Sequence, residues 1–243
     1  MKDIAPELLE KIQEAFQKGF DNSRVVKRYK SLLAEGKATY VDANAYAVEV
    51  GSILAKAYKD NISEGVLPDG RMYFNIAKRV IDPTMANNHD LVADYCEAVQ
   101  TELNKAAGIG IKAIRPERDQ DKIDGIINRL SEEETFEKIS WILQEPIINF
   151  TESVVDKAVS DNSKFQYRAG LRPRIIRKEV GNCCDWCKQV VGTYEYPNVP
   201  EDVYRRHRYC RCTVEYDPGD GKRVNVHTKK ESGSKEDIER RKQ

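Results

Sequence analysis

"GLRPRIIRKEVGNCCDWC", residues 170–187, is where the chain changes character. Before it, apolar residues recur at helical spacing. Within it, "RPRIIRKEV" (172–180) has the short length and β-branched content of a strand, and "CCDWC" opens a cluster of cysteines. Cys183, Cys184, Cys187, His207, Cys210 and Cys212 all fall inside thirty consecutive residues, while the rest of the chain carries one further cysteine, Cys96. The stretch therefore separates a helical body from a small β-rich module organised around thiols.

Working toward the amino terminus, the pattern is helical. Pro6 suits a first helical position, and Leu8, Leu9, Ile12, Phe16 and Phe20 follow on one face. A second helix is predicted from Arg24 to Ala34, ending at Gly36, and a third from Val41 to Asn61. "LPDGR" (67–71) and "DPT" (82–84) read as turns, and a helix follows from Asp90 to Ala107, with His89 capping or preceding it. "GIGIKAIRP" then breaks the periodicity. Ser131 with Glu134 three residues on has the form of a capping box, predicting a last long helix that carries Phe136, Ile139, Trp141, Leu143, Ile147, Phe150 and Val154, kinked at Pro146. Toward the carboxy terminus, "GTYEYP" (192–197) and "YCRCTVEY" (209–216) read as strands, and Val224 with Val226 suit a final short one. The expected fold class is α+β: a mainly α-helical body over 1–168, a β-rich Cys/His module over 169–216 and a charged, mobile tail over 217–243.

The cysteine spacing points to a metal. Zinc takes four thiolate or imidazole ligands in a tetrahedron, and a C-x-x-C turn supplies two of them from one tight loop. Cys184 and Cys187 have that spacing. If 209–216 is a strand, Cys210 and Cys212 share a face, and His207 just before it is the alternative to Cys212. The expected ligands are Cys184, Cys187, Cys210 and one of His207 or Cys212; the adjacent Cys183 and Cys184 diverge, so one of the two is a bystander, and the C-x-x-C spacing favours Cys184 as the ligand. No H-x-E or H-E-x-x-H frame accompanies them, so the zinc is expected to be structural rather than catalytic, and no catalytic residue is singled out. A disulfide framework and a Cys–His nucleophile are the competing readings. Cys96, in "LVADYCEAV", reads as a small core residue, and His227 as solvated.

Composition sets the surroundings. Of 243 residues, 33 % are charged and 8 % aromatic, with a formal net charge of zero. No apolar run is long enough to span a membrane and no secretory leader is evident, so synthesis in the cytoplasm, with reduced thiols, is expected. The zero hides an asymmetry: from Lys164 to Cys212 there are eleven Lys or Arg against five Asp or Glu. Arg172, Arg174, Arg177, Lys178, Arg205, Arg206, Arg208 and Arg211 are accordingly candidates for non-specific contacts to DNA phosphates, against the alternative of a solubilising surface with internal ion pairs.

Taken together, the helical body, the "RPRIIRK" strand, "CCDWCKQVVGTYEYPNVP" and "RRHRYCRCTV" resemble the tailed-bacteriophage head morphogenesis proteins of the Mu F-like, minor head protein type. The resemblance rests on Cys184, Cys187, Gly192, Pro197, Pro200, His207, Cys210, Cys212 and Thr213 over the carboxy-terminal part. It implies a structural virion protein docked on the portal or major capsid protein, acting in head assembly or in DNA packaging or delivery. Such a protein resides in the host cytoplasm during assembly and then in the phage head. Two further readings compete: a small nuclease or toxin with His207 as general base, and a host zinc-ribbon adaptor that binds another protein.

Overall fold

The computed structural model describes residues 3–181 and 183–219. Helix α1 (Ala5–Asn22) starts with Pro6 in its first turn and buries Ala5, Leu8, Ile12, Phe16 and Phe20. Helix α2 (Arg24–Ala34) is capped by Ser23, whose hydroxyl accepts from the Val26 amide at 3.1 Å. It ends at Gly36, where a φ of 66° suits a residue without Cβ. Helix α3 (Tyr40–Asn61) opens on a capping box of Thr39 and Asp42. It lies at the centre of the body, touching α1, α4 (Phe74–Ala106) and α7 (Glu145–Arg168). Its inner face is lined by small residues, Ala43, Ala47 and Gly51, so that α7 approaches closely.

Four sequence expectations are corrected in this region. "DPT" is no turn: α4 runs straight through Pro83. Val80, Ile81, Thr84 and Met85 on either side are buried at helical spacing, and the packing of that face outweighs the backbone hydrogen bond that proline removes. His89 accordingly sits buried inside α4 rather than at a helix start. Ser131 does not begin a helix either. It lies in the last turn of α5 (Gln120–Glu132), where its hydroxyl donates to the Asn128 carbonyl at 2.9 Å. Helix α5 is capped by Asp119 and held to α4 by Ile123, Ile127 and Leu130. The predicted stripe is divided among a single turn α6 (Phe136–Ile139), a 3-10 turn at Ser140–Leu143 and α7. Pro146 occupies the first turn of α7, where its missing N–H leaves no bond unmade, so it begins this helix instead of kinking a longer one.

Between α4 and α5 the chain is extended. Asn162 of α7 brackets it there, donating to the Ile114 carbonyl and accepting from the Ile114 amide, both at 2.8 Å.

The carboxy-terminal part is a three-stranded antiparallel sheet in the order β2-β1-β3, built from β1 (Arg174–Lys178), β2 (Gly192–Glu195) and β3 (Thr213–Asp217), with the short helix α8 (Asp185–Val190) between β1 and β2. In register, Ile175 faces Tyr194 on one side and Tyr216 on the other, and Arg177 faces Val214. Alternation places Ile175, Arg177, Val214 and Tyr216 on the inner face. Cross-strand ion pairs Arg174–Asp217 at 2.6 Å and Lys178–Glu215 at 3.0 Å lie on the other. Ile175, Val203, Val214 and Tyr216 join the same apolar core as the helices, and the Tyr216 ring meets Tyr40 of α3 edge-on. The transition near residue 169 is thus a change of secondary structure without a break in the core. The proposed strand at Val224 and Val226, His227 and most of the 217–243 tail lie outside the described residues. No helix among the described residues is long and apolar enough to cross a membrane.

Candidate metal centre

Cys184 forms the N-cap of α8, its sulfur accepting from the Cys187 amide at 3.4 Å. This local bond is the reason a C-x-x-C at a helix start aims two sulfurs at one point. It also holds the Cys184 thiol below its usual pKa, because an amide dipole favours thiolate. One helical turn on, Cys187 is fully buried, and burial pushes its thiol well up.

The second half of the cluster comes from the loop before β3. The Cys210 amide donates to the His207 carbonyl at 3.0 Å, closing a knuckle whose third residue, Tyr209, sits at a φ of 63°. Asn149 of α7 pins the same carbonyl from the body at 3.2 Å. Cys210 and Cys212 are both buried, but the strand expectation for 209–216 is corrected: β3 starts only at Thr213. The two sulfurs are brought inward by the knuckle rather than by strand alternation.

The donors converge. Nε2 of His207 lies 3.0 Å from Cys187 Sγ and 3.2 Å from Cys184 Sγ, and Cys187 Sγ lies 3.7 Å from Cys210 Sγ. Two sulfurs bound to one tetrahedral zinc at about 2.3 Å are about 3.8 Å apart, so the last distance already matches a ligand edge. Nδ1 of His207 donates to the Arg208 carbonyl at 2.7 Å, which leaves the Nε2 lone pair facing the thiols, and the Trp186 ring meets the imidazole edge-on. The five expected residues form two triples: Cys184, Cys187 and His207, and Cys187, Cys210 and Cys212. Within each triple every ligand atom lies within 4.8 Å of the others. All six cysteines are free thiols, with Cys183 beside this cluster and Cys96 buried in the helical core.

Arg177 gives an independent sign of negative charge here. It is fully buried on the inner face of the sheet, donating through Nη1 to the Val203 carbonyl and through Nη2 to Cys210 Sγ at 3.5 Å. Among the described residues it forms no ion pair with a carboxylate. A guanidinium removed from water requires a counter-charge, and the thiolates of a metal-bound cluster supply one. The donor set and its surroundings fit zinc.

The eight basic residues separate. Arg177 and Arg206 are buried and are therefore no phosphate contacts. Arg206 is enclosed at the foot of the knuckle, forming an ion pair with Asp156 through Nε and Nη2, meeting Glu152 at 2.9 Å and Asn44 at 2.9 Å. Arg211, partly exposed, reaches Glu145 at 2.7 Å and Glu152 at 3.2 Å. Arg174 and Lys178 are tied across the sheet as above, and Arg205 pairs with Asp202 at 3.0 Å. The Arg208 guanidinium lies 4.9 Å from the Trp141 ring and 5.1 Å from the exposed Tyr209 ring. Arg172 is exposed.

The acidic partners Glu145, Glu152 and Asp156 were missed from sequence. Their signal was available: carboxylates at i, i+7 and i+11 of α7 fall on one helical face, an arrangement that calls for cations from elsewhere.

No family model, no curated protein and no solved structure matches the chain.

Proposed function

We propose that the chain is a phage minor head protein: a helical body that docks on the portal or major capsid protein, carrying a structural zinc on its carboxy-terminal module. The observation that carries this reading is the convergence of Cys184, Cys187, His207 and Cys210, the same positions on which the resemblance rests. Zinc bound there has a rigidifying role. Cys187 and Cys210 are buried, and both nitrogens of His207 are already engaged, which weighs against that imidazole serving as a general base.

DNA contact belongs to this reading in reduced form. Arg172, Lys178, Arg205 and Arg208 are the exposed members of the basic set. Replacing all four with Gln should weaken binding to any duplex alike and flatten the dependence of log K on log salt by up to about 3–4 units, since each phosphate contact is worth roughly 0.9. An unchanged slope removes DNA from the function.

The assembly role is tested in particles. Mass spectrometry of purified heads should find the chain at a small fraction of the major capsid protein, and co-expression with the portal and capsid proteins of the same phage should retain it on one of them. Its absence from heads, together with failure to co-purify with either protein, rejects the reading.

A further inference from the structure

Cys212 has no place in a four-ligand site made of Cys184, Cys187, His207 and Cys210, yet it is buried with its sulfur within 4.8 Å of both Cys187 and Cys210. The donors divide into two triples that share Cys187 alone. A single ion must draw ligands from both triples, with every edge of its tetrahedron near 3.6–3.8 Å. Two ions use each triple as it is built.

We infer that the cluster holds two thiophilic divalent cations sharing the Cys187 thiolate, one on Cys184, Cys187 and His207 and the other on Cys187, Cys210 and Cys212. A thiolate sulfur has lone pairs enough to bridge two soft or borderline metals. Cys187 is placed for that task, since it is fully buried and sits between the α8 turn on one side and the knuckle on the other. Cys210, 3.7 Å from Cys187, is placed to complete the first ion as a second bridge. Cys183, whose thiol borders Cys212 and donates to Glu179 at 3.0 Å, is placed to complete the second. Five thiolates, a neutral imidazole and two divalent ions sum to one negative charge, which the buried Arg177 guanidinium faces.

The inference rests on the cluster being a metal site and not on the phage assignment. Native mass spectrometry of the reduced full-length protein, loaded with zinc and desalted, distinguishes the cases. Two zinc ions per chain are expected, falling to one in Cys212→Ser. One ion in the wild type, unchanged in Cys212→Ser, leaves a single-zinc site and overturns the second ion. No retained ion rejects both. Since Cys212 is buried and its replacement can impair folding, cobalt(II) titration of the wild type gives an independent reading. The paramagnetic resonance signal should rise with the first equivalent and be attenuated by the second as the two ions couple through sulfur. A signal that grows steadily and saturates at one equivalent counts against the bridge.

Discussion

Arg206 gives up its hydration to sit between Glu152 and Asp156, and all three side chains are almost wholly enclosed. Such a trio is held by mutual attraction against a desolvation cost of several kcal/mol per ion, so removing one member is worse than removing all. Arg206→Met should cost about 3–5 kcal/mol in urea unfolding, because it strands the buried Asp156 carboxylate and leaves Glu152 with Arg211 alone, and adding Glu152→Gln and Asp156→Asn should recover much of it. Burial raises the Glu152 carboxyl from 4.5 to about 7, against the opposing pull of Arg206 and Arg211. A carboxyl whose folded pKa exceeds its unfolded one takes up a proton on folding. Its contribution therefore declines as pH rises through 4.5 to 7 and is constant above that window. A shift of this size corresponds to a loss on the order of 3 kcal/mol. Unfolding curves at pH 5 and pH 7.5 should show that component in the wild type and lack it in Glu152→Gln. At this scale the cysteine–histidine cluster was legible in the sequence, because its spacing is local. The partners of the arginines were not, because residues 44, 152 and 206 are joined only by the tertiary fold.

The contact between α3 and α7 depends on what is missing from one position. A Cβ on Gly51 would stand 2.9 Å from the Ile148 Cα and 3.0 Å from Thr151 Oγ1, and the first of these is backbone that cannot rotate away. Gly51→Ala should therefore force the helices apart and cost about 1–3 kcal/mol in thermal or chemical unfolding, although alanine is the better helix former. Helix starts and stops were readable where the punctuation is local: α2 was expected from Arg24 to Ala34 with Gly36 beyond it, and α3 from Val41 to Asn61, both within a residue of the bounds observed. Proline was the less reliable sign. Pro83 lies inside α4 because the apolar residues around it are committed to the core, and Pro146 begins α7 because a 3-10 turn delivers the chain there. Helix α5 went unrecognised since its three apolar anchors, Ile123, Ile127 and Leu130, are spread among many charges.

Module and body share one interior, so they should not unfold separately. Tyr216 donates to Gln166, which binds Asn104, which accepts from Gln100, the partner of Tyr40; this polar chain runs from the sheet through α7 and α4 to α3. Removing metal with a strong chelator should lower the thermal midpoint of the entire protein in a single transition, followed by the loss of far-ultraviolet helical signal. A helical transition that keeps its midpoint while only the module melts would show the two to be energetically independent. The α+β class was legible because the period changes at residue 170. The common core was not, since strand alternation tells which side chains turn inward but not what they meet there.

The bond from Arg206 to Asn44 spans 162 positions of chain. On the ribosome, α3 and α7 emerge well before residue 206, and through that interval Glu152 and Asp156 have no guanidinium to receive. The nascent helices must leave that side of α7 open to water. Final closure of the body is then a late event, timed by the arrival of the segment that also brings His207, Cys210 and Cys212. A ribosome stalled before residue 200 should carry a protease-sensitive α7, and one that has released the full knuckle should not.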